Sequence, residues 1–225
     1  MPRLPRRSRA APKLRLYHLS KEGLSAFAKG GEATDAGRFF SASLIEYLAA
    51  EGGGVPSALK SGEAPAVRKG PHGKPYFSDR ALEGVFFSLS HTRGHAAVAF
   101  AGEEIGLDCE NIAARPLTAS RCGRIARRCF LEDELSYVFG GCGDGRDDGD
   151  EDGNDAKLRF FEIWTAKEAY MKYTGNGFSE GFRTFSALAP PPGIRIERRR
   201  LAGAEHIVYA VCAAGAAIAD GESDG

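Results

Sequence analysis

The chain has 225 residues, enough for one large domain or two small ones with a core, and its 43% hydrophobic and 27% charged content is that of an ordinary globular protein. Thirty Lys plus Arg balance thirty Asp plus Glu, so the formal net charge is zero and global charge singles out no class of partner. No run of 18 apolar residues could span a membrane, the N-terminal arginines have no apolar core behind them as a secretory signal would, and the five scattered cysteines form no CxxC, which fits a reduced cytoplasmic protein without a zinc site or disulfide framework.

Residues 1–14 are basic and proline-rich and read as a disordered tail. Arg15–Leu19 then reads as a short strand, and Ala36–Ala50 has apolar residues at helical spacing, closed by Gly52–Gly54. Lys74–Ser78, Val85–Leu89, Ala96–Ala101 and Ile105–Cys109 read as strands separated by glycine-containing turns. Leu117–Cys129 and Glu132–Phe139 are predicted helices. The acidic Gly/Asp run that follows, an insertion at 142–155, is too polar to bury anything and is expected to be disordered. Leu158–Thr174 is the strongest helical pattern, with Gly175 where a left-handed C-terminal cap belongs. Phe182–Leu188, Ile194–Arg198 and His206–Cys212 are predicted as three late strands. The order suggests two halves, 15–114 and 115–225.

Four short segments carry chemistry. In Ile105–Glu110 (IGLDCE), strand alternation turns Asp108 and Glu110 to one face, where paired carboxylates are either solvated or share a hard cation, Mg²⁺ or Mn²⁺; Cys109 points the other way and should pack. In Trp164–Lys172 (WTAKEAYMK), Trp164, Glu168, Met171, Lys172 and Gly175 share one helix side. Glu168 and Lys172 read equally as a surface i, i+4 ion pair, and Trp164 as plain core. Ser88-Leu89-Ser90-His91 ends an apolar strand and suits either an anion or local backbone capping; a hydrolytic Ser-His pair is disfavoured, because neighbours on a strand point apart and no G-x-S-x-G is present. Gly73-Lys74-Pro75 is a turn that can place a lysine beside a phosphate.

Taken in order, GKP, SLSHT, IGLDCE and WTAKEAYMKYTGNG resemble the 4'-phosphopantetheinyl transferase superfamily, and in length and spacing its larger, monomeric Sfp-type branch. The resemblance covers residues 69–180. It implies an α+β fold of two similar α/β halves related by a pseudo-two-fold, with the active site in the cleft between them. It implies Mg²⁺ (Mn²⁺ as substitute) held by Asp108, Glu110 and Glu168, with Glu168 closing the cleft from the second half. Lys167 and Lys172 would meet the phosphates of coenzyme A, Ser90 and His91 its 3'-phosphate, Lys74 the nucleotide, and Arg38 a further phosphate. Glu134, in FLEDEL, would help activate the attacking serine, as Glu168 or metal-bound water could. The implied reaction moves phosphopantetheine from coenzyme A to a serine of an apo acyl or peptidyl carrier protein and releases 3',5'-ADP. Thr92 stands where serine is commoner, and Cys109 where an aliphatic residue is usual. The rival readings are another Mg²⁺-dependent phosphoryl-transfer or nucleotide-hydrolysing enzyme, and a nucleic-acid-binding module. The second is disfavoured by the lack of a folded basic patch with aromatics.

Overall fold

Two three-stranded antiparallel sheets carry the molecule, and the chain repeats one order of elements to build them. The computed structural model describes residues 13–18, 35–140, 154–177 and 181–215. The first sheet is made by β1 (Lys13–His18), β4 (Phe86–Thr92) and β5 (His95–Ala101), in the order β1-β5-β4. The helix α1 (Asp35–Ala50) lies between β1 and β4 in sequence. The second sheet is made by β6 (Ile105–Asn111), β7 (Ile194–Leu201) and β8 (Ala204–Ala214), in the order β6-β8-β7. Between β6 and β7 come α3 (Ala119–Cys129), α4 (Glu132–Phe139) and α5 (Asn154–Thr174). Each sheet therefore runs strand, helix, strand, strand, with the last strand in the middle. A short helix α2 (Ser57–Lys60) and a hairpin of β2 (Val67–Lys69) with β3 (Pro75–Phe77) decorate the first part.

The crossover falls earlier than the sequence suggests. β6, which carries Asp108 and Glu110, pairs with β8 across Ile105↔Ala213 to Asn111↔Ile207, so it belongs to the second sheet although it precedes residue 115. Long-range pairing of this kind leaves no local signal. The tail before Lys13 and the acidic run 141–153 lie outside the described residues, while Asn154 and Asp155, read as insertion, open α5.

Three apolar clusters hold the parts together. Leu44, Tyr47 and Leu48 of α1 bury against Phe87, Val98 and Phe100, with Phe40 and Phe87 edge to face at 5.2 Å. Phe130, Phe160, Ile163, Ala166 and Ala169 bury against Val208, Ala210 and Cys212. Between the sheets, Ala97, Ala99 and Ala101 face Leu107, Cys109, Tyr209 and Val211. The alanines leave room for close approach, and β4 uses it. Ser88 Oγ accepts the Leu107 N–H at 2.9 Å, Ser90 Oγ the Cys109 N–H at 3.1 Å, and Thr92 Oγ1 the Asn111 N–H at 3.0 Å. Three alternate hydroxyls thus replace a missing strand partner for β6.

The predicted strand at 182–188 is a series of turns instead. Its backbone groups are claimed by side chains. Lys167 Nζ donates to the carbonyls of Phe182 (2.6 Å) and Phe185 (2.7 Å), Glu134 Oε1 accepts the Ala187 N–H (2.7 Å), and Ser186 Oγ accepts the Leu188 N–H (3.1 Å). A strand ladder would have to break these bonds.

α5 lies directly on β6 because residue 106 is glycine. A Cβ built there would stand 1.9 Å from the Ala169 carbonyl oxygen and 2.5 Å from the Tyr173 nitrogen, both helix backbone. Gly106→Ala must therefore push α5 off β6. We expect a loss at the upper end of the about 1–3 kcal/mol typical of overpacking, read as a lower urea midpoint. An unchanged midpoint would show that helix and strand can separate freely.

Candidate active site

The close contact of α5 with β6 brings two distant acids and a lysine together. Asp108 is 4% exposed on the β6 face turned to the helix. Its Oδ1 accepts a hydrogen bond from Lys172 Nζ at 2.7 Å and from Ser90 Oγ at 2.7 Å, while its Oδ2 is buried with no hydrogen-bond partner. Lys172 also donates to the Leu89 carbonyl at 3.3 Å. The ammonium of Lys172 thus answers an acid 64 residues away, so the i, i+4 surface pair with Glu168 is not the arrangement adopted. Glu168 lies half-buried beside this group. Burial, then the charges of Asp108 and Glu110, push its carboxyl up to about 7 against the pull of Lys172 and a hydrogen bond with Trp164. Trp164 stacks on Phe182, with ring centroids 4.7 Å apart. It is therefore core and site support at once.

Glu110, two residues on, shares the face of Asp108. Thr92 Oγ1 donates to its Oε2 at 3.2 Å, and Arg115 grips both of its oxygens, Nε on Oε2 at 2.7 Å and Nη2 on Oε1. The hydroxyls of Ser90 and Thr92 each accept a β6 N–H, so their single protons are free to point only at the carboxylates. These residues orient the two acids. Alternation along a serine-rich strand was the available signal for this role, and it lay in Thr92 rather than in His91. Ser90→Ala and Thr92→Val should each cost about 1–3 kcal/mol in urea unfolding, because a buried N–H is left without its acceptor. Loss-free variants would show that water takes the place of the hydroxyl.

A cavity of about 210 Å³ opens beside the cluster. It is lined by the Gly73-Lys74-Pro75 turn, by Ser88 and Leu89 of β4, and by Glu168, Met171, Lys172 and Gly175 of α5. Gly175 has φ +73, closes α5 by donating to the Met171 carbonyl at 3.0 Å, and leaves 3.4 Å between a built Cβ and Lys74 Cδ. Lys74 is anchored there by Glu104 and by the carbonyls of Ile105 (3.2 Å) and Tyr173 (3.0 Å).

Several expected positions are elsewhere. Lys167 is fully buried in an ion pair with Glu134 at 2.8 Å, both side chains 0% exposed, so neither a phosphate contact nor a base at these residues fits. Successive helix residues diverge by about 100°, so Lys167 cannot share the cavity side of α5 with Glu168. Glu134 spends its other oxygen on the Leu131 N–H at 2.7 Å, capping α4. Ser90 is buried on Asp108 rather than open to a ligand; His91, its exposed neighbour, points to the other side of the strand. His91 and the exposed Arg38 are not among the residues lining the cavity. Cys109 packs at 3% exposure among Leu107 and Tyr209, and burial, then the Asp108 charge, push its thiol up to about 12.

Among the described residues, no three His, Cys, Asp or Glu side chains converge as a ready metal cluster. The donor chemistry nevertheless suits a hard divalent cation. Asp108 and Glu110 share the β6 face on which α5 lies, Asp108 Oδ2 has no partner, and Glu168 of α5 is raised first by burial and then by the negative charges beside it, which Lys172 only partly offsets.

A mixed α/β protein with clustered carboxylates beside a lysine-edged cavity is the class that this fold and site define. Residues 104–214, from the edge of β6 to the end of β8, match the family model described as the 4'-phosphopantetheinyl transferase superfamily, so this stretch is similar to that superfamily. It is 34% identical over 127 residues to the 4'-phosphopantetheinyl transferase HetI of Nostoc sp., a stretch covering 56% of this chain and 48% of HetI. It is 30% identical over 122 residues to the 4'-phosphopantetheinyl transferase psf-1 of Bacillus pumilus, covering 54% and 45%, and 29% identical over 115 residues to Sfp of Bacillus subtilis, covering 51% and 43%. The matched stretch spans about half the length of these curated relatives.

Proposed function

We propose that this protein transfers the 4'-phosphopantetheine arm of coenzyme A to a serine of an apo acyl or peptidyl carrier protein, releasing 3',5'-ADP, with a divalent cation, Mg²⁺ first, at Asp108, Glu110 and Glu168. The observation that carries the reading is the cavity in which the Lys74 turn, the end of β4 and the Glu168–Lys172 face of α5 meet. The names of the relatives point the same way. The repeated order of elements in the two sheets supports a pseudo-two-fold pair of halves, with the second half beginning at β6. No helix among the described residues is long and apolar enough to cross a membrane. A cytoplasmic monomer of the larger Sfp-type branch fits this reading.

The chain's own residues divide the work. Lys172 and Lys74 edge the cavity and would meet the anionic phosphates, Lys172 offsetting charge on the departing 5'-phosphate of 3',5'-ADP. His91 and Arg38 remain candidates for outlying phosphates, Ser90 now as support for Asp108. The metal, when bound, supplies charge neutralisation for phosphoryl transfer. Of the two carboxylates expected to act as base, Glu134 is sealed in the core, which leaves Glu168 at the cavity to take the carrier serine's proton.

Incubation with coenzyme A, Mg²⁺ and an apo acyl carrier protein tests the reading. Intact mass should show addition of the arm, and EDTA should abolish it. Breakdown of coenzyme A without carrier modification would favour a hydrolase instead.

A further inference from the structure

Arg115 holds a position that the transferase reading does not use. The turn after β6 puts it there. Asn111 Oδ1 accepts the Ala114 N–H at 3.0 Å, and the Asn111 carbonyl accepts the same N–H at 3.2 Å, which folds the chain back so that Arg115 returns to Glu110. Its guanidinium then covers both Glu110 oxygens, on a side chain that is itself 50% exposed while that of Glu110 is 7% exposed. Glu168 and Asp108 also lie within its field. Asp108 is held differently: Ser90 and Lys172 occupy only Oδ1 and leave the buried Oδ2 without a hydrogen-bond partner. Of the two β6 acids, one is poised for a ligand and the other is stoppered by a fixed cation. This accounts for two β6 acids and Glu168 of α5 lying near one another without a converged metal cluster among the described residues.

Resting on the metal reading above, we propose that Arg115 is a resident counter-cation of the acid cluster, and that a divalent ion engages Glu110 only by displacing its guanidinium. The competition costs apparent metal affinity, because only the fraction of molecules with Glu110 released is competent to bind. It also keeps the cluster neutralised when no metal is present. Arg115 is a positioning residue in this scheme. Its bidentate grip is stronger than a lysine's single contact, so the identity of the cation at 115 sets the affinity.

Mn²⁺ titration followed by the loss of the free-ion EPR signal tests this on the whole protein, without coenzyme A or carrier. Arg115→Gln should bind Mn²⁺ roughly tenfold more tightly than wild type, since a charge-assisted bidentate pair no longer competes. Arg115→Lys should fall between them, and Asp108→Asn should bind weakly. In EDTA, Arg115→Gln should also unfold at lower urea than wild type, and Mn²⁺ should raise its midpoint by more. Equal or weaker binding by Arg115→Gln, with binding still lost in Asp108→Asn, would overturn the role of Arg115 and leave the metal site standing. No Mn²⁺ binding by any of the four proteins would overturn both.

Discussion

Glu168→Gln should fold normally and transfer the phosphopantetheine arm about 1,000-fold more slowly than wild type. The substitution keeps the size of the side chain and its hydrogen bond with Trp164, but removes the α5 charge facing Asp108 and Glu110. Metal-centred charge stabilisation supplies several kcal/mol of barrier reduction, and each 1.4 kcal/mol is about tenfold in rate. Lys172 and Lys74 remain, so coenzyme A should still bind. A stability measurement in EDTA checks the electrostatics separately. The carboxyl is raised from 4.5 to about 7, so its contribution is fully present below pH 4.5 and lost as pH rises through about 7. Wild type should lose stability over that window, and the Gln variant should not. At pH 8 in EDTA the variant should be the more stable, by on the order of 2 kcal/mol. Near-normal transfer by the variant would remove the proposed site; identical pH dependence of the two proteins would remove the buried-charge account.

Lys167→Ala, one residue away, should behave in the opposite manner: severe loss of stability, with no specific loss of coenzyme A affinity in the molecules that stay folded. Lys167 Nζ ties Glu134 of α4 to α5 and holds the carbonyls of Phe182 and Phe185, with the Phe185 ring centroid 4.5 Å from the ammonium. Burial drives its pKa down, and Glu134 counters that shift. Removing it strands a fully buried carboxylate, which costs about 3–5 kcal/mol. Lys167→Met with Glu134→Gln should recover much of that stability, since neither charge is then left alone. Urea unfolding of the three variants and coenzyme A binding at low temperature measure both effects. A stable Lys167→Ala with weakened coenzyme A binding would return this lysine to the phosphate site.

Most of the local structure is legible in the sequence. Periodicity located the helices at 36–50, 132–139 and 158–174 to within a few residues, because an amphipathic pattern and its caps are local properties. It also placed Asp108 and Glu110 on one strand face with Cys109 on the other, since alternation is fixed by the pleat. The carboxylate and lysine motifs came from resemblance, and the cavity joins three of the four segments quoted for it. Tertiary structure decided what each polar group does. Lys167, Glu134 and Ser90 have side chains suited to a ligand, and nothing local distinguishes a lysine that faces phosphate from one that seals a loop. Only the packing of α5 on Gly106, the turn at Asn111 that returns Arg115, and the seating of β4 against β6 assign their partners. The strand at 182–188 was lost, and β6 was placed in the second sheet, for the same reason: the competing hydrogen bonds come from residues far away in the chain, and strand pairing over a hundred residues leaves no trace in a short window.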